Sequence, residues 1–161
     1  MAHNNVPPHA DRVAFLLTQL GTLAHIRLAE RLRPLGLHPR HLGMLGHLAA
    51  AEGSSQQALA DALGVHRSAM VALVDDLEAR GLAERRRDPF DRRAYTLHLT
   101  SEGRRRFTEL RELADRQESE LLAGLDTGEQ RALVDLLRRL AASQGLAPGV
   151  HPRLTSPGSD P

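Results

Sequence analysis

The stretch QQALADALGVHRSAMVALVDDLEARGLAERRRDPFDRRAYTLHLTSEG, Gln56 to Gly103, decides the fold. Its first half sets two helical patterns either side of a glycine. A helix-turn-helix needs a small residue where its helices cross, a glycine in the turn, and apolar residues at offsets that lock the angle. Ala60 is the small residue, Gly64 the turn, and Leu59, Leu63, Val65, Met70 and Leu73 the lock. On spacing alone a plain helical hairpin fits equally well. Ser54, with Gln57 three residues on, reads as a capping box opening the first of the two helices over 55–63. Gly81 stops the second.

The second half changes period. "LAERRR" and "RAYTLHLT" are short runs, and the latter alternates Tyr95, Leu97 and Leu99 against Thr96 and His98. A period of two is a strand signal, and "DPFD" between the runs is a turn signal. A helix pair followed by a hairpin is the layout of a winged helix. One helix of such a lobe enters the major groove while the wing follows the backbone or enters the minor groove. The wing here carries "RRRDPFDRR", with five arginines in nine residues. Arginine's planar fork bonds phosphate bidentately, and a narrow minor groove concentrates negative potential. Against this, all 21 basic residues of the chain are arginine, so a solvated arginine loop is the competing reading.

Further helices flank this stretch. Val13, Leu16, Leu17, Leu20, Leu23, Ala24 and Leu28 recur at helical spacing, with an end expected near Arg33 because Pro34 and Gly36 follow. A second helix opens at Pro39 and carries Leu42, Leu45 and Leu48. Thr100 is a candidate N-cap for a long helix bearing Phe107, Leu110, Leu113, Leu121 and Leu122. Asp126 and Glu129 form a capping box for a last helix with Leu133, Leu136, Leu137 and Leu140. The fold class is therefore mostly α with a small β-hairpin, in one domain of 161 residues. The Pro/Gly/Ser-rich end, 145–161, has too little apolar content for a core and is expected to be a disordered tail.

Composition limits function. The absence of cysteine excludes disulfides, thiol redox sensing and cysteine-bound metal, and fits a cytoplasmic protein. No signal-peptide pattern and no membrane-length apolar run is evident. A net charge of +1 means that any basic partner surface must be local. No Ser/His/Asp order, phosphate loop or paired-carboxylate motif points to an enzyme.

"GLHPRHLGMLGHL", the stretch quoted at the outset and the flanking helices resemble the MarR family of winged helix-turn-helix transcriptional regulators, over roughly residues 10–143. The most specific part is "DPFDRRAYTLHLTSEG", an Asp-Arg-Arg tip followed by Leu-x-Leu-Thr-x-x-Gly. The resemblance implies a homodimer reading a pseudo-palindromic operator on double-stranded DNA. In the family many members are repressors, and many are released by a small molecule. It assigns dimerisation to 10–34 and 101–143, with Leu16, Leu20, Phe107, Leu121, Leu133 and Leu137 at the interface, and DNA binding to 38–100. Carried onto this chain, the DNA contacts are Arg67, Ser68, Ala69, Val71 and Ala72 on the recognition helix, Arg92 and Arg93 at the wing tip with Asp91 orienting an arginine, Arg86 on the rising strand, and Gln56 on phosphate.

Several features depart from the family's usual pattern. Ala69, Val71 and Ala72 offer few hydrogen bonds to base edges, so specificity leans on Arg67, Ser68, the wing and DNA shape. That same scarcity keeps open a winged-helix protein-interaction module that does not bind DNA. His38 and His66 stand at helix starts, where a protonated ring would oppose the helix dipole. A cleft near His25, His41 and Met44, with Arg40 as counterion, is the expected place for a small organic acid. Nine histidines also raise a metal-responsive regulator, but the ligand set is incomplete, so no metal and no cofactor are expected.

Overall fold

Among the described residues, leucine-rich segments punctuated by glycine and proline fold into six α-helices and one hairpin. The computed structural model describes residues 9–89, 91 and 94–149. Helix α1 spans Val13–Leu32 and runs into a 3-10 turn, Arg33–Leu35. Then come α2 (Pro39–Ala50), α3 (Gln56–Leu63), α4 (Arg67–Ala79), β1 (Ala83–Arg87), β2 (Tyr95–Leu99), α5 (Ser101–Leu121) and α6 (Thr127–Ser143). This is the element order expected from the sequence. Gly36 and Gly64 take left-handed φ of 67° and 60° at the ends of the 3-10 turn and of α3, where a side chain would be strained.

The helix-turn-helix closes as its spacing requires. Ala60 is buried at the crossing, and Val65, just past the turn, donates its N–H to the Ala60 carbonyl at 3.0 Å. One detail differs from expectation. Ser55, not Ser54, caps α3, its hydroxyl accepting from the Ala58 N–H at 3.1 Å. Ser54 lies on the sheet instead, where its carbonyl accepts from Leu97, and Gly53 donates to the Leu97 carbonyl, both at 2.9 Å. Gln57 turns forward to Asp61 rather than back to the cap. Backbone pairing with β2 outranks a side-chain cap here because it satisfies two buried main-chain groups at once.

β1 and β2 pair antiparallel, with Ala83 opposite Leu99, Arg85 opposite Leu97 and Arg87 opposite Tyr95. Leu97 and Leu99 enter the core, but Tyr95, on the same face, reaches past the end of the lobe and stays exposed. There the Arg87 guanidinium lies 5.5 Å from the centre of its ring.

Met44, Leu45, Leu48, Met70, Val74, Leu77 and Leu97 are wholly inaccessible to solvent. Each contributes about 1.5–3 kcal/mol by leaving water. The core reaches beyond 38–100, since Leu32 of α1 and Leu110 of α5 belong to it. Phe107, expected at a dimer interface, packs against this core within its own chain. Gly46 of α2 makes room for it, because a Cβ there would stand 3.4 Å from the ring.

By contrast α6 buries no residue and α1 only Leu32. Their apolar stripes face outward, with Leu20 50% and Leu136 58% exposed, and Leu16, Leu17, Leu23, Leu137 and Leu140 alongside. α6 holds its shape through the expected capping box, in which Asp126 accepts from Gly128 and Glu129 while Glu129 accepts from the Asp126 N–H. The first residues of the expected tail are ordered against the body. Leu146 donates to the Ala141 carbonyl, and His47 Nε2 donates to the Gly149 carbonyl, each at 3.0 Å.

The lobe meets α5 at one tight junction. The Thr100 hydroxyl donates to the Gly81 carbonyl at 2.6 Å and accepts from the Gly103 N–H at 2.9 Å. A Cβ on Gly103 would lie 1.8 Å from the Leu82 carbonyl oxygen. The Thr-x-x-Gly pattern thus records a backbone-on-backbone contact. Gly103→Ala should cost more than the roughly 1–3 kcal/mol of an ordinary overpacked methyl, because backbone must move. Urea denaturation will check it; a midpoint equal to that of the parent chain contradicts the account.

Candidate nucleic-acid interface

α4 is amphipathic in a particular way. Met70, Val74 and Leu77 fill its inner face, and Ala69 and Leu73 pack at the border of the core. Ala69, expected among the groove-facing residues, is half-buried at that border. It sits one position before Met70 and four before Leu73, which at 100° per residue turns it toward the lobe. The outer face carries Arg67, Ser68, Val71, Ala72 and Asp75, all exposed. Ser68 is partly engaged, its Oγ 2.9 Å from His66 Nδ1, the ring that also caps the helix by accepting from the Ser68 N–H at 3.4 Å.

Three carboxylates lie on α4, and each is matched within the chain. Asp75 and Glu78 are held by Arg85, which reaches inward from β1. Its Nη2 donates to Asp75 Oδ1 at 2.7 Å and its Nη1 to Glu78 Oε2, while its backbone N–H donates to Glu78 Oε1 at 2.7 Å. Asp76 Oδ1 accepts from Arg80 Nε at 2.8 Å, and its Oδ2 from His41 Nε2 at 2.7 Å. Burial alone would raise the Asp76 carboxyl, but the Arg80 and His41 hydrogen bonds outweigh it and hold the group below its usual range. A recognition face with unmatched carboxylates would repel phosphate; this one does not present them.

The strand arginines divide by the register of the hairpin. Arg85 shares the inward face with Leu97, whereas Arg86 points away and pairs with Glu84 at 2.9 Å. Gln56, expected on phosphate, spends its carbonyl oxygen on Arg85, at 3.0 and 3.3 Å. The turn closes through the Asp91 N–H on Asp88 Oδ1 at 3.1 Å and the Ala94 N–H on the Asp91 carbonyl at 3.0 Å. Arg92 and Arg93, and with them the expected pairing to Asp91, lie outside the described residues. Further along, Arg104 forks onto Glu52, and Arg105 and Arg106 pair with Glu102, so the start of α5 is internally compensated.

The expected small-molecule cleft is not assembled by its four residues. Met44 lies in the core, and His41 is buried with both ring nitrogens engaged: Nδ1 accepts from the His38 N–H at 2.9 Å, while Nε2 serves Asp76. Such a ring has no lone pair left for a metal or a ligand. Arg40 is exposed on α2 and His25 half-buried on α1. An open groove of about 520 Å³ occurs elsewhere, between α5 and α6, lined by Glu118, Leu122, Gln130, Val134 and Arg138 among others.

Neither the Arg85 cluster nor the His41–Asp76–Arg80 chain was anticipated. Arg85 lies ten residues from Asp75 and His41 thirty-five from Asp76, so only the Asp76–Arg80 pair, four residues apart, has a local spacing to announce it.

A MarR-family transcriptional regulator from Rhodococcus sp. RHA1 is 32% identical, with a TM-score of 0.69 over 82% of this chain and 94% of that one. A family model described as the MarR family also matches residues 35–94. The chain belongs to the MarR family. CouR from Rhodococcus jostii RHA1, solved with p-coumaroyl-CoA, is 31% identical, with a TM-score of 0.70 over 84% of this chain and 96% of that one. CouR bound to a 23-mer DNA duplex gives 32% identity and a TM-score of 0.73, over 82% and 94%. A protein of Thauera aromatica, whose name assigns it to transcriptional regulation of the hcr operon, is 40% identical over 105 residues, 65% of this chain. The match spans 63% of that relative's length. Both the Rhodococcus and the Thauera relative are described as transcriptional regulators. Among the described residues no helix is long and apolar enough to cross a membrane.

The buried ring gives a pH expectation. Burial lowers the His41 pKa below its ordinary 6.5, outweighing the pull of Asp76. The fold therefore favours the neutral ring, and that stabilisation is complete above pH 6.5 and lost as pH falls below it. Melting curves at pH 7.5 and 5.5 should show a fall in Tm that His41→Gln, which can keep both hydrogen bonds, makes smaller. Equal falls in the two proteins would contradict this assignment.

Proposed function

We propose that the chain is a DNA-binding transcriptional repressor that acts as a homodimer on a pseudo-palindromic operator. One observation carries the reading: an outer α4 face bearing Arg67 and Ser68, stripped of unmatched carboxylate charge, stands beside an arginine-rich wing. CouR, of the same family, has been solved on a DNA duplex, which supports carrying that partner to this chain. In this reading α4 enters the major groove, where Val71 and Ala72 can meet only thymine methyls. Arg92 and Arg93 enter the minor groove, and Arg86 exchanges Glu84 for phosphate.

Dimerisation joins the outward stripes of α1 and α6, through Leu16, Leu20, Leu133 and Leu137, with Leu121 at the end of α5. Exposed apolar area of this extent is not left in water. A two-fold axis then sets two α4 helices about one turn of DNA apart, some 34–36 Å. Release by a small molecule is the further element, supported by the structure of CouR with p-coumaroyl-CoA.

Two measurements test the reading. A mobility shift across the protein's own upstream DNA should give binding that weakens steeply with salt, and Arg92→Ala with Arg93→Ala should flatten the log–log salt slope by about 2. Absence of binding to any duplex at low salt would favour a protein-interaction module instead. For the dimer, Leu20→Glu with Leu137→Glu should convert a sedimenting dimer to monomer while the helical circular dichroism of the lobe persists; a dimer that survives both charges argues for another interface.

A further inference from the structure

Two-stranded hairpins are marginal on their own, and their angle to the body is soft. The wing is joined to the lobe at its base, near Ala83 and Leu99, and along β2 as far as Leu97, which pairs with Gly53 and Ser54, while its tip lies beyond Arg87. Arg85 stands midway along β1 on the face that carries Leu97, and its side chain is only 25% exposed, whereas Arg86 and Arg87 are exposed. From there its guanidinium reaches Gln56 at the start of α3 and Asp75 and Glu78 on α4. The α4 helix answers on the main chain too, since Glu78 Oε1 takes the Arg85 N–H at 2.7 Å. One side chain thus ties the wing to both helices of the helix-turn-helix. Asp75, 57% exposed on the outer face, would carry an unmatched charge toward DNA without it.

We propose that Arg85 is a positioning residue for DNA binding: it fixes the angle between the wing and the recognition helix, and does not itself bind phosphate. The inference rests on the DNA-binding reading given above. Four of its five side-chain N–H donors are already spent on Gln56, Asp75 and Glu78, so a bidentate phosphate contact would require dismantling the cluster. The fork matters as much as the charge. An ammonium at this position is a single point with no planar geometry to span Gln56, Asp75 and Glu78 together.

A double-mutant cycle separates positioning from simple charge. Dissociation constants for a duplex from the protein's own upstream DNA are compared for the parent chain, Arg85→Lys, the wing-tip pair Arg92→Ala with Arg93→Ala, and all three changes together. Arg85→Lys should weaken binding about tenfold although charge is kept, and should add less than about twofold once the wing tip is stripped. Gln56→Ala, which removes only the α3 limb, should show the same dependence on the wing tip and covers the case in which Arg85→Lys misfolds. Penalties that multiply, or full rescue by lysine, would overturn the proposal. Tyr95 is the only tyrosine and the chain has no tryptophan, so tyrosine anisotropy reports the wing without DNA. It should fall in Arg85→Lys at unchanged helical circular dichroism, and unchanged anisotropy overturns the proposal. If the parent chain binds no duplex, the regulatory reading fails while the anisotropy still decides whether Arg85 holds the wing.

Discussion

The Leu82 carbonyl lying where a Gly103 side chain would be is the contact on which the arrangement of the lobe depends. At that point the chain leaves α4, opens the hairpin, returns, and begins α5. Gly81 supplies the left-handed residue that turns α4 into β1, and Thr100 bonds both to Gly81 and to the first turn of α5. Helix-turn-helix, wing and long helix therefore share one joint about a residue thick. Any slack there would be magnified at the wing tip, five residues along each strand.

Above that joint the lobe is secured by polar bonds that also neutralise charge. α4 is gripped on one side by Arg85 and on the other by His41 and Arg80, and Arg80 continues to the Gly36 carbonyl at 2.6 Å. Each grip removes a carboxylate from the reach of an approaching polyanion. Stability and recognition are thus served by the same bonds, since a free carboxylate on α4 would both loosen the packing and oppose binding.

Much of this was legible in order and spacing. The element order, the Gly64 turn, the hairpin, the Thr100 cap and the Asp126 box follow from local chemistry, which short-range pattern encodes. What was not legible depends on register and on long-range pairing. Which strand arginine faces inward is set by Arg85 standing opposite Leu97, and a shift of one residue would have exchanged Arg85 with Arg86. Ser55 displaced Ser54 as the cap because β2 took the Ser54 carbonyl. His41 and Met44 looked like cleft residues from their place on α2, but the side of a short helix that faces the core follows from what packs on it. Ala69 is half-buried at the edge of the core, a position its sequence does not announce because alanine carries no polarity to mark a face.

The grips on α4 also bear on how this lobe can move. A helix pinned at His41–Asp76 and again at Asp75–Arg85 cannot swing relative to its own hairpin without breaking several short bonds together. It moves only with the lobe. Any displacement of the recognition helix would then carry the helix-turn-helix and the hairpin as one body and leave the shape of the lobe intact.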